Sequence, residues 1–138
     1  MLGKSDKEMR SEIRVRLTIT DFKCSPNEIT RILKIDPTKT WLRGDPIPKT
    51  IMMQKQHGWQ LDSPKTPKGS VEQQTDALLR LLAKRSRVFK SLPSEAEVEL
   101  SCIIYSHGGD RPPIAFNRAT VRKLAQLNAS IDIDFYVL

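Results

Sequence analysis

A chain of 138 residues fits one domain and is long enough to bury a core without metals or disulfides. Its 38% hydrophobic and 28% charged residues exclude a disordered chain, and apolar runs of only a few residues exclude a membrane-spanning helix. The net charge of +7 excludes nothing alone: it sets solubility and nonspecific attraction, and it bears on function only if the excess forms a patch.

Residues 1–11 are polar and charged without a period and read as a flexible N-terminal arm. Met1 is followed by charged residues rather than an apolar leader, so no secretory signal is expected. Cys24 and Cys102, the only cysteines, have no CxxC spacing and are expected to be free, reduced thiols in a cytoplasmic protein.

From residue 12 the chain reads as one α+β domain, 12–138. Ile13, Val15, Leu17 and Ile19 alternate with Arg14, Arg16, Thr18 and Thr20, which predicts a half-buried strand with a basic outer row. Ser25-Pro26-Asn27-Glu28 carries the N-cap, N1 and N3 residues of a helix start. Ile29, Ile32 and Leu33 form the buried stripe of that helix, and Asp36-Pro37 ends it.

A strand in two pieces is expected around Ile51–Met53 and Trp59–Leu61, followed by a solvated linker from Asp62 to Ser70. Ser70 and Gln73 form a capping pair for a long helix from about Val71 to Ser91, closed by Pro93. Val98, Leu100, Cys102 and Ile104 predict another strand, Gly108-Gly109 a turn, and Pro112–Phe116 a short edge strand. Asn117 caps a third helix that Asn128 ends, and Ile131, Ile133, Phe135 and Val137 alternate with Asp132, Asp134 and Tyr136 in a last strand.

Two split βαβ halves in this order give a ferredoxin-like two-layer sandwich. Its sheet is mainly antiparallel, its helices lie on one face, and an extra long helix joins the halves. In that topology the first strand lies between the 98–104 strand and the last one. Arg14 and Arg16 then sit between Glu97/Glu99 and Asp132/Asp134, opposite charges across the ladder.

The blocks Leu33-Lys34-Ile35-Asp36-Pro37-Thr38, Trp41-Leu42-Arg43-Gly44-Asp45-Pro46, Gly58-Trp59, Glu99–Ser106 and Leu124–Asp134 appear in that sequence. In this order they resemble the uncharacterised bacterial family DUF4279, from about Ile13 to the C-terminus. The resemblance implies a small bacterial single-domain protein and supplies no reaction, cofactor or catalytic residue.

The segment from Thr40 to Pro48, with Gly58-Trp59, holds both tryptophans and a cluster of glycine and proline that no regular element favours. Trp41, Arg43, Asp45 and Trp59 are therefore the candidate binding residues, with aromatic walls and a charged pair for orientation. Large aromatics dominate cores, so packing outweighs recognition for the indoles, whereas Arg43 fits either role. Arg80, Lys84 and Arg87, at i, i+4 and i+7, are the alternative: a phosphate-tracking stripe. Against it, Glu72 and Asp76 begin the same helix, so the charges match its dipole, and no aromatic interleaves with the bases.

His57 and His107 could form an acid–base pair only if the Trp41 loop folded over the Gly108-Gly109 turn. Cys24, at a helix start, is either a thiol activated by the dipole or a small buried filler. No metal, cofactor or catalytic motif is present in the sequence.

The expected function is thus a non-enzymatic protein-binding module, immunity-like or regulatory, whose partner is another protein. An accessory nucleic-acid binder is the alternative, and a small-molecule or enzymatic site at Trp41–Pro46 the second alternative. No membrane association is expected.

Overall fold

The computed structural model describes residues 11–138, so the arm expected over residues 1–11 lies, apart from Ser11, outside the described residues. The chain is α+β. Strands β1 (Glu12–Thr20), β2 (Lys39–Trp41), β3 (Gly58–Asp62), β4 (Glu97–Ser106) and β5 (Ala129–Val137) form one sheet in the order β2-β3-β1-β4-β5. Three pairings are antiparallel; β4 and β5 run parallel. Helices α1 (Pro26–Leu33), α2 (Val71–Leu82) and α3 (Arg118–Gln126) contribute buried residues to the same core as the inward rows of β1, β3 and β4.

The helix starts obey their local signals. Ser70 accepts from the Gln73 N–H while the Gln73 side chain accepts from the Ser70 N–H, a complete capping box. Asn117 accepts from the Thr120 N–H, and Asn128 takes the left-handed conformation, φ 56°, just beyond α3. At α1, Pro26 occupies the first turn but Ser25 makes no side-chain cap: the Glu28 N–H donates to the Ser25 carbonyl, and the Glu28 carboxylate pairs with Arg31. Lys34, φ 56°, ends α1 before Asp36-Pro37. The long helix is shorter than its sequence pattern suggests: α2 stops at Leu82, and 3₁₀ turns at Ala83–Arg85 and Val88–Ser91 carry the chain to Pro93.

The expected pairing of the first strand with the last is absent. β1 lies between β3 and β4, and among the described residues β5 pairs only with β4. Both sides of β1 are taken, by β3 and by β4, and β2, three residues that periodicity cannot detect, closes the far edge beyond β3. Neither Ile51–Met53 nor Pro112–Phe116 forms a strand; Met53 makes one isolated bridge, to Pro46.

Arg14 and Arg16 consequently miss their expected partners. The register sets Arg14 opposite Ile103 and Arg16 opposite Ser101, with Glu97 and Glu99 facing Thr20 and Thr18, and Asp132 and Asp134 one strand further away. Arg14 pairs instead with Glu12, and Arg16 with Asp62 at 3.6 Å.

One buried side chain stands in for missing strand. β3 covers only Arg16–Ile19 of β1, leaving the backbone at Ile13–Val15 without a strand neighbour on that side. Gln74 of α2, fully buried, fills the gap: its Oε1 accepts from the Val15 N–H at 3.0 Å and its Nε2 donates to the Ile13 carbonyl at 2.8 Å. Thr66 donates to Gln74 Oε1, and Ser63 donates to the Gln74 carbonyl. Without Gln74 the Val15 N–H and the Ile13 carbonyl would be left unpaired in a buried place.

Candidate functional site

The two tryptophans of the candidate site face opposite ways. Thr40 is paired with Trp59 and Trp41 with Gly58, so alternation sends the two indoles to opposite faces of the sheet. Trp59 is fully buried and donates its Nε1–H to the Thr30 hydroxyl of α1 at 3.0 Å, which makes it core. Trp41 lies half-buried on the outer face with its ring over Gly58; a Cβ there would come within 1.9 Å of the indole. Gly58 is therefore required by close approach, and Lys39 sets its ammonium 5.8 Å from the centre of the same ring. The indoles do not wall a common pocket.

Between Trp41 and Gly58 the chain forms an irregular arm tied by its own hydrogen bonds. Asp45 caps its first turn: its carboxylate accepts from the Leu42 N–H at 2.8 Å, and its own N–H donates to the Leu42 carbonyl. Gly44 supplies φ 93° and donates to the Gln54 carbonyl, while Gln54 donates back to Asp45. Ile47 donates to Met52, and Thr50 and Lys49, the latter at φ 63°, complete the tip. At the root, the Arg43 N–H donates to His57 Nδ1 at 2.9 Å and the Asp21 N–H to Gln56 Oε1 at 2.7 Å.

This framework holds apolar groups in solvent. Ile51 is fully exposed, and Leu42, Met52 and Met53 are each about half exposed or more. Arg43 is exposed and makes no ion pair with Asp45 or with any other described residue. Beside the root is a cleft of about 340 Å³ lined by Asp21, Phe22, Lys23, Arg43, Lys55 and His57. Because His57 Nδ1 accepts a hydrogen bond, the neutral imidazole carries its proton on Nε2. The cleft and arm together are basic, with Lys23, Arg43, Lys49 and Lys55 against a single uncommitted acid, Asp21.

The other candidates separate. Arg80, Lys84 and Arg87 are all exposed, but only Arg80 stands on α2; the other two lie in and beyond the first 3₁₀ turn, so no single α-helical stripe joins them. The outer sheet face is no alternative basic surface: it carries Arg14, Arg16 and Lys39 against Glu12, Asp62, Glu97, Glu99, Asp132 and Asp134. His57 precedes β3 at the end of the sheet where β1 finishes, and His107 follows β4 at the end where β1 begins, so they cannot act as a pair.

Burial pushes the Cys24 thiol up rather than down, the direction opposite to that of an activated thiol. Cys102, buried under β4, is pushed up to about 12 by desolvation. Among the described residues no cluster of three metal-ligating side chains occurs, and no helix is long and apolar enough to cross a membrane.

What sequence reasoning missed was the exposed tip. Its apolar run was readable as a strand, and the one opposing signal was the turn-forming Pro46, Pro48 and Lys49-Thr50 just before it.

The described residues form an α+β fold with one five-stranded mixed sheet and a self-bonded β2–β3 connection that holds apolar side chains in solvent. Residues 11–138 match the family described as Domain of unknown function (DUF4279), and the chain belongs to that family. Comparison with curated proteins found no match, and comparison with solved structures found none.

Proposed function

We propose that this protein is a non-enzymatic protein-binding module that engages its partner through the β2–β3 arm. One observation carries the reading: the arm is fixed by a dense set of main-chain hydrogen bonds, yet it holds Leu42, Ile51, Met52 and Met53 out in solvent. Ordering a loop to expose apolar surface costs free energy in the isolated chain, and a partner that buries the surface returns it. Lys49 at the tip, with Arg43 and Lys55 at the root, favours a partner surface that is apolar at its centre and acidic at its rim. Trp59 and Asp45 serve as internal anchors, and Trp41 as a partly exposed wall.

We read the connectivity β1-α1-β2-β3-α2-β4 as a ferredoxin-like split βαβ core in the order β2-β3-β1-β4, with α3 and β5 appended at the β4 edge. What supports this is the antiparallel pairing of all neighbours within those four strands. In the same reading the protein works in the cytoplasm with both thiols reduced.

The test is photo-crosslinking in host cells with the crosslinker at Ile51, compared with one at Arg80. A single partner captured from Ile51, lost on Met52→Asp and kept on Arg80→Ala/Lys84→Ala/Arg87→Ala, is expected. Salt-sensitive oligonucleotide binding abolished by that triple change, with nothing captured from Ile51, would replace this reading with the nucleic-acid one.

A further inference from the structure

The β5 edge is finished differently from every other strand. On β1 the inward row Ile13, Val15, Leu17 and Ile19 is 0–7% exposed; on β5 the corresponding row Ile131, Ile133, Phe135 and Val137 is 41–77% exposed. α3 connects β4 to β5 but leaves most of that row uncovered. β5 is also nine residues long, contains no proline or lysine, and among the described residues is paired on one side only. Those are the properties of an edge that accepts another strand. Its outer row adds a charge requirement: among the described residues, neither Asp132 nor Asp134 has an ion-pair partner.

We infer that β5 is a docking edge for an extended segment of a partner protein that alternates apolar and basic residues. Such a segment would add a sixth strand by main-chain hydrogen bonds, laying its apolar side chains beside Ile131, Ile133 and Phe135 and its cations beside Asp132 and Asp134. A second copy of this chain fits poorly. Full-length antiparallel self-pairing, which is centred on Ile133, sets Asp132 opposite Asp134 twice, and in-register parallel self-pairing stacks each aspartate beside its equal, like charges directly across a ladder in both cases; other registers shorten the ladder. The opposite edge of a second copy offers only the three residues of β2. The surface is separate from the β2–β3 arm, since β2 and β5 are the two opposite edges of the sheet.

The experiment uses the full chain, ¹⁵N-labelled, titrated with a nine-residue peptide alternating lysine and valine. Amide shifts concentrated in residues 130–137 are expected. Asp132→Lys/Asp134→Lys should weaken the peptide at least tenfold and give preference to a glutamate–valine peptide of the same length; both positions are exposed, so spectra elsewhere should be unchanged. Asp132→Asn/Asp134→Asn should give a smaller loss. A lysine–valine peptide N-methylated at alternate residues along one edge should not bind, which separates strand addition from simple charge attraction. Three results would overturn the assignment: β5 amides that do not move, equal affinity for the basic and acidic peptides, or protection from exchange in the free protein, as monomer or dimer, of the β5 amides that point away from β4.

Discussion

The β2 and β5 edges close the same sheet with opposite resources. β2 is three residues long, carries Lys39 on its outer face, and leads into an arm tied back on itself through Asp45, Gln54 and His57. Short length and a lysine are the usual protections of an edge strand. β5 has neither: it is long and apolar on the inner row, and acidic on the outer row. The difference separates two ways of presenting apolar surface. At the β2 side the side chains stand on a rigid support and backbone pairing is used up internally; at the β5 side the backbone itself is on offer. Substitutions at the root of the first should therefore cost stability, and substitutions on the second should leave the isolated chain nearly unchanged.

The largest effect is expected at Trp59. Trp59→Ala removes a fully buried indole and its bond to Thr30 and should cost about 3–5 kcal/mol in denaturant unfolding. Trp41→Ala, on the outer face, should cost about 1–2 kcal/mol, a fraction of that core value. Equal losses would show that the two indoles are not on different footings and would undo the distinction between anchor and wall.

Gln74→Ala comes next, at about 2–3 kcal/mol, because the Val15 N–H and Ile13 carbonyl lose their partner in a buried place. Hydrogen exchange should show the Val15 amide opening before those of Leu17 and Ile19, which strand β3 supports.

Gly58→Ala should cost about 1–3 kcal/mol by forcing the Trp41 ring off the strand. A double-mutant cycle with Trp41→Ala sharpens the point: once the ring is gone, most of the glycine's cost should vanish, whereas additive losses would place the strain in the backbone.

The smallest effects fall on the exposed groups. Ile133→Thr on β5 should change stability by less than about 1 kcal/mol, while the same kind of exchange at Val15 on β1, a fully buried position, should cost clearly more. Arg43→Ala should stay within about 0.5 kcal/mol, since only its backbone N–H is engaged. A strongly destabilised Ile133→Thr would mean that β5's inner row is covered and that the two edges are alike.

Much of the fold was legible because its signals are local. Alternation marks β1, β4 and β5, and the Ser70–Gln73 and Asn117 caps mark α2 and α3, since each depends on residues within one turn or one strand. The candidate site was legible only in part. Glycines and prolines announced an irregular segment, and Arg43 and Asp45 took the outward and capping roles their types favour. That Trp41 and Trp59 part company depends on strand pairing, which no local pattern states. The Ile51–Met53 run was misleading because an exposed apolar turn and a short buried strand have the same composition.

By itself, then, the sequence determined the strands β1, β4 and β5, the helix starts, and which side chains of those elements share a face, because φ/ψ preference, capping and period are properties of neighbouring residues. Tertiary structure alone decided which strands meet, and hence what the faces became. β1 and β5 carry the same alternating pattern, yet one is sealed and the other open, because burial depends on what lies across the sheet rather than along the chain. Gln74 is the same lesson on a smaller scale: a glutamine in a helix acquires its role only because β3 is too short to cover all of β1.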